Sequence, residues 1–125
     1  MIATGKIVYS LLAANQQLQA LVGDKIYPLV AEEKTLLPFV IYERTYSNEF
    51  NHDNYKSTSV FTITVLSETY SDGVDIAEAI NNTLNNYSGE VLNTRVLKIL
   101  NSGGGEAYAE GIYVQKIEYL VITCS

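Results

Sequence analysis

The sequence has no tryptophan, a single histidine and a single cysteine, and each scarcity removes a class of chemistry. One cysteine, Cys124, excludes a disulfide within the chain and any multi-cysteine metal site, so a reducing compartment is expected. A catalytic thiol at that penultimate position would lack a rigid surround. His52 is the sole imidazole. With Glu49 and Asp53 it can be drawn as a metal site, but the trio falls in a polar stretch and metal ligands need a rigid frame. A Ser–His triad would depend on His52 alone, and no nucleophile-elbow pattern accompanies it.

There is no basic cluster either. The eight Lys and Arg are scattered from Lys6 to Lys116 and the formal net charge is −6, a poor basis for neutralising phosphates along a nucleic acid. No stretch approaches the roughly 20 apolar residues of a membrane span. Residues 7–14 have the length of a signal-peptide core, but Tyr9 and Ser10 interrupt them and only Lys6 precedes them. An amphipathic helix accounts for them better. The chain is therefore expected to be made in the cytoplasm, with the sequons at Asn81 and Asn86 chance products of an Asn-rich patch.

What is present is a globular composition. Hydrophobic residues make up 47% of 125 and charged residues 18%. That length suits one domain, residues 1–125, able to bury about two-thirds of its unfolded surface.

Ile7, Leu11, Ala14, Leu18 and Leu21 recur at helical spacing, which predicts a helix over 4–22 with Thr4 as its cap and Gly23 as its stop. A short extended piece, Ile26-Tyr27, precedes Pro28. A loop over 30–37 leads to Pro38 and a β-rich run, Phe39–Thr45. The polar stretch Ser47–Ser57 reads as a wide hairpin loop. Phe61, Ile63 and Val65 alternate with Thr62 and Thr64, the cleanest strand signal, over Thr58–Leu66. A second helix is expected over about 71–84, capped by Ser71, with Asp72 and Asp75 at its positive end and Val74, Ala77, Ile80 and Leu84 buried. Residues 85–89 break it. Val91–Leu100 and Ile112–Thr123 read as strands, the latter apolar at both parities. Such a strand is covered by helices on one side or buried by a partner chain. The expected class is α+β: a two-layer sandwich with a largely antiparallel sheet of four to five strands and two helices on one face.

The stretch NSGGGEAYAEG, residues 101–111, has the look of a phosphate cradle. Such a cradle needs a following helix and a lysine, and neither is present; Glu106 and Glu110 would repel a phosphate. A flexible hairpin turn between the last two strands is expected instead. The acid pairs Glu32-Glu33 and Asp72/Asp75 are accounted for by a loop and a helix dipole, not by acid–base work. Ten tyrosines against three phenylalanines point either to a protein–protein surface or to the rim of the chain's own core, and composition does not separate the two.

Several motifs then occur in order: Leu21 to Pro28 (LVGDKIYP), Leu37 to Tyr42 (LPFVIY), a strand such as Val60–Leu66, Tyr70-Ser71-Asp72-Gly73 opening a helix with Ala77-Glu78-Ala79, and a closing aromatic-rich strand. In this the chain resembles the phage tail-completion family of tail-terminator and head-to-tail joining proteins, over essentially its whole length. The resemblance implies a structural role and no catalytic, cofactor or metal residues. It implies a homo-oligomeric ring, commonly hexameric, at the head-proximal end of a phage or prophage tail. Its partners would be the tail tube protein and a head-completion or connector protein. DNA would pass through the lumen without specific binding, and no membrane is involved. The protein would reside in the virion after assembly in the bacterial cytoplasm. Candidate subunit or tube contacts are Phe50, Tyr55, Gly103, Gly104, Gly105, Tyr108 and Tyr113. The competing readings are a small soluble α+β enzyme or ligand-binding domain, or another part of a tail-like injection system.

Overall fold

The computed structural model describes residues 1–49 and 56–124. Their elements run α1 (Thr4–Ala13), α2 (Gln16–Val22), β1 (Ile26–Pro28), β2 (Phe39–Glu49), β3 (Lys56–Ser67), α3 (Tyr70–Leu84), β4 (Gly89–Val91), β5 (Thr94–Ala109) and β6 (Ile112–Cys124). The strands form one curled, mixed sheet in the order β1-β2-β3-β6-β5-β4, with the helices on one face. The α+β class is as expected. The sheet has six strands rather than four or five, and three helices replace two.

The expected first helix is broken at Asn15. Its side-chain oxygen accepts from the Leu18 backbone N–H at 2.8 Å and so caps α2. Its side-chain amide donates to Thr83 Oγ1 on α3, fixing the break against the neighbouring helix. The buried positions are accordingly Ile7, Val8 and Leu12 on α1, then Leu18 and Val22 on α2; Ala14 and Leu21 are exposed. Thr4 is not the cap. It is the buried first residue of α1, donating its hydroxyl to Met1 O at 2.6 Å. Gly23 ends α2 at φ +66°, as its position predicts. On α3 the cap is Thr69, which holds extended angles and accepts from Asp72 N at 3.1 Å, while Ser71 is already helical. Ile76 and Ala79 join Ile80 and Leu84 in the core, with Val74 and Ala77 at its margin.

The sheet departs from the expected pattern at β1, which pairs parallel to β2 through Ile26↔Val40 and Tyr27↔Ile41. Residues 29–38 carry the chain back to the start of the sheet, tied by Lys25 Nζ to Leu36 O at 3.0 Å and entering β2 through a cis Leu37–Pro38 bond. Both strands flanking the expected 47–57 loop are longer than alternation alone indicates, since β2 runs to Glu49 and β3 starts at Lys56.

The largest correction concerns the glycines. Gly103-Gly104-Gly105 is not a turn; it lies inside β5, paired with Glu118, Ile117 and Lys116 of β6. The turn falls later, at Glu110-Gly111, between the paired Ala109 and Ile112, and both residues have positive φ (+53° and +83°). That is the backbone a two-residue hairpin demands. A second tight turn, Leu92-Asn93 (φ +50° and +64°), splits the expected 91–100 strand into β4 and the start of β5. Gly104 has a reason in packing. A Cβ there would sit 2.1 Å from the Lys116 carbonyl oxygen at φ +156°, whereas one on Gly105 would meet nothing within 4 Å. The two sheet neighbours approach at Gly104 as only a residue without a side chain allows.

Replacing Gly104 with Ala is therefore expected to lower unfolding free energy by about 2 kcal/mol or more, through backbone strain and a main-chain clash. Gly105→Ala is expected to stay within about 0.5 kcal/mol. Urea midpoints of the two variants at equal slope make the comparison.

Candidate assembly surface

Pairing registers sort each strand into two faces. Towards the helices point Phe61, Ile63 and Val65 of β3 and Ile117, Tyr119 and Val121 of β6, all buried. α3 packs over β6, β3 and β5, and α1 over β1 and β2. Tyr119, fully buried, donates its hydroxyl to Asn81 Oδ1 at 2.8 Å, and the same oxygen accepts from Asn101 Nδ2 at 2.9 Å. Burial pushes the Tyr119 phenol well above the ordinary tyrosine range.

The opposite face has no helix. Its rows follow from the registers: Phe39–Leu66–Val114–Ala107, Ile41–Thr64–Lys116–Gly105, Glu43–Thr62–Glu118–Gly103 and Tyr46–Val60–Leu120–Leu100. The first and last rows are apolar, and a charged band lies between them. Leu66, Val114, Val60 and Leu120 are half-buried by their neighbours, and Tyr46 is 58% exposed. A depression of about 350 Å³ crosses the charged band, lined by Glu43, Thr62, Lys116, Glu118 and the three glycines. The glycines deepen it because they place no side chain in the rows.

On the helix side, beyond α3, three tyrosines meet at the end of the β5–β6 hairpin. Tyr108 and Tyr113 lie 4.7 Å apart between ring centroids, and Tyr113 meets Tyr70 edge-on at 6.1 Å. Tyr70 donates to Glu106 Oε2 at 2.6 Å, and Gln115 Nε2 donates to the same oxygen at 2.6 Å. The Tyr70 bond, then the Gln115 bond, hold the Glu106 carboxyl below the usual carboxylate range. The cluster borders a groove of about 300 Å³ between α3 and the outer half of β5, which includes Val74, Glu78 and Ile117.

Of the residues singled out in the sequence, the structure brings Tyr108 and Tyr113 together and places Gly103, Gly104 and Gly105 on the adjoining strand. Phe50 and Tyr55 lie outside the described residues, as do His52 and Asp53 of the drawn metal trio. Sequence reasoning missed Tyr70, Glu106 and Gln115. Tyr70 was visible only as the opening of a helix, and its meeting with Glu106 depends on a register that no local pattern encodes. Among the described residues no group of three His, Cys, Asp or Glu comes together to hold a metal. A depression of about 570 Å³ beside α1 is wide and lined by Lys6, Tyr9, Ser10, Ala13, Ala14, Tyr42 and Leu92.

The surface thus combines a sheet with one helix-free face and a tyrosine-rich hairpin. Residues 6–101 match the model of the family described as tail completion protein gp17, more than half of the chain, and the chain belongs to that family. Its role is a structural one in tail completion. Among solved structures it is similar to a chain of the "virion of native gene transfer agent (GTA) particle". The TM-score is 0.77 and identity 16%, covering 94% of this chain and 92% of that one. A second solved chain matches with TM-score 0.63 and 10% identity, covering 96% and 95%. At these identities the likeness speaks for the fold. None of the curated proteins matches the sequence.

Removing the Tyr70 hydroxyl tests the cluster. In Tyr70→Phe the Glu106 carboxyl is expected to titrate at higher pH, closer to an ordinary glutamate, as read by carboxyl-detected NMR. A folded-state value held low contributes stability above the unfolded value that is lost as pH falls through the folded one. The wild type should therefore lose slightly more stability than the variant on acidification.

Proposed function

We propose that residues 1–125 act as one non-catalytic tail-completion domain that assembles into a ring, hexameric as the family resemblance implies. The ring caps the tail tube at its head-proximal end and joins it to a head-completion or connector protein. It forms in the bacterial cytoplasm and stays in the virion, in keeping with the likeness to a chain of a gene transfer agent virion. DNA passes through the lumen without specific binding, and a net charge of −6 suits a wall that does not hold DNA. The candidate contacts are Gly103, Gly104, Gly105, Tyr108 and Tyr113 on the hairpin, together with Phe50 and Tyr55.

One observation carries this reading: the helix-free sheet face, with apolar rows that include Phe39, Leu66, Val114 and Leu120, in a chain of a tail-completion family. A solvated face of an antiparallel sheet is ordinarily polar, so apolar rows on an uncovered face favour a partner there. The tyrosine cluster adds amphipathic contact area at low entropic cost.

The test is tube growth. Tail tube protein of the same particle is polymerised with and without this chain and the products are viewed by electron microscopy. Added chain is expected to stop elongation and to appear as a ring on one tube end. Tubes of undiminished length with bare ends would contradict the proposal.

A further inference from the structure

The sheet has two strand edges that nothing described covers. On one side, β4 pairs only with residues 94–96 of β5, and Asn86 and Tyr87 bond Ile99 through their backbones. From Ser102 to Ala109 no described strand lies outside β5, and every residue there is exposed. On the other side, β1 pairs only with Val40–Tyr42 of β2, and no described strand lies outside β2 from Glu43 onward. Exposed edges normally carry lysines, prolines or short strands that block pairing with another chain. Beyond the bulge at Ser102, the β5 edge carries none of these; from Gly103 to Ala109 it is glycine, alanine and tyrosine with one acid, Glu106.

The two free stretches are complementary. They sit at opposite corners of the sheet and have similar lengths. Strand directions alternate from β2 through β3 and β6 to β5, so a copy related by rotation about a ring axis would bring its β2 antiparallel to this β5. Bringing them level needs a stagger of about 15 Å over four strands, about 19 Å wide. That corresponds to a strand tilt of about 40°, within the range of closed barrels. Charge agrees as well. Arg44 is exposed on the helix side of β2 and makes no ion pair with a described residue. Glu106 occupies the same side of β5 and spends its bonds on one oxygen. The stagger sets Arg44 opposite or diagonal to the neighbour's Glu106. A two-fold pairing of β5 with itself would instead set Glu106 against Glu106, a like-charge contact that destabilises.

We infer that the outer edge of β5, Ser102–Ala109, binds the outer edge of β2 of a second copy, from Glu43 onward, head to tail, extending one sheet across subunits. The glycine run then leaves this edge bare of side chains for a neighbour's backbone, as in strand addition. A head-to-tail contact closes into a ring when its rotation permits. The inference rests on the ring reading above and supplies its interface.

The test is intermolecular disulfide formation in a Cys124→Ser background, on protein assembled with tail tube protein. Tyr46→Cys and Gly105→Cys, which this register sets opposite each other on the helix-free face, lie on strands separated by two others, too far apart to join within one chain. The double variant is expected to give a ladder of covalent multimers on oxidation, and Gly105→Cys alone is expected to give no covalent dimer. Arg44→Glu should cut the ladder several-fold, and Glu106→Arg added to it should restore it. Rings visible by microscopy without a ladder, or covalent dimers from Gly105→Cys alone, would overturn the interface and leave the ring standing. Neither rings nor ladder would overturn both.

Discussion

Everything in this fold hangs on the pairing of β3 with β6. Lys56–Ser67 runs antiparallel to Tyr113–Cys124 in unbroken register, from Lys56↔Cys124 to Ser67↔Tyr113. This ladder sits at the centre of the sheet, and its side chains alternate between two surfaces of different fate. Phe61, Ile63, Ile117, Tyr119 and Val121 face the helices and form the core. Val60, Leu66, Val114 and Leu120 face the other way, apolar but without a layer of their own. A one-residue slip would exchange the two sets, so burial of the first set fixes where the second is displayed.

The edges follow from that centre. Bulges at Thr45 on β2, and at Leu97 and Ser102 on β5, each add a residue opposite a regular partner and curl the flanking strands. The β5–β6 hairpin is long because its tight turn waits until Glu110-Gly111. Gly104 lets β5 stay paired where a side chain would collide with the Lys116 carbonyl. Triple glycine therefore serves strand geometry here, and its bareness exposes a sheet edge to other molecules. The tyrosines and Glu106 gather where β5, β6 and the start of α3 converge.

Much of this was legible from residues alone, for identifiable reasons. β3 announced itself because its alternation is uninterrupted, and α3 because its stripe and breakers agree. The dual-face character of β6 was visible in its apolar residues at both parities, and the uncovered face is its counterpart. The first part of β5 was legible within Val91–Leu100, but its continuation past Leu100 was not, because glycines carry no side chain and so erase the period-two signal. The split of the first helix was hidden because Asn15 leaves helical spacing nearly intact on either side. Thr69 and Ser71 are both good caps, and only backbone angles choose between them. Tyr108 and Tyr113 could be nominated from composition, whereas Tyr70, Glu106 and Gln115 are joined by strand register and lie far apart in sequence.

With the interface inferred above, the sheet of one chain continues into the sheet of the next copy. Amide hydrogen exchange, comparing free chain with chain assembled on tail tubes, reads that directly. Assembly is expected to slow exchange in residues 102–109 and in β2 from Glu43 onward, with the β3–β6 ladder protected in both states. Unchanged exchange along both edges, with new protection confined to the helices, would contradict it.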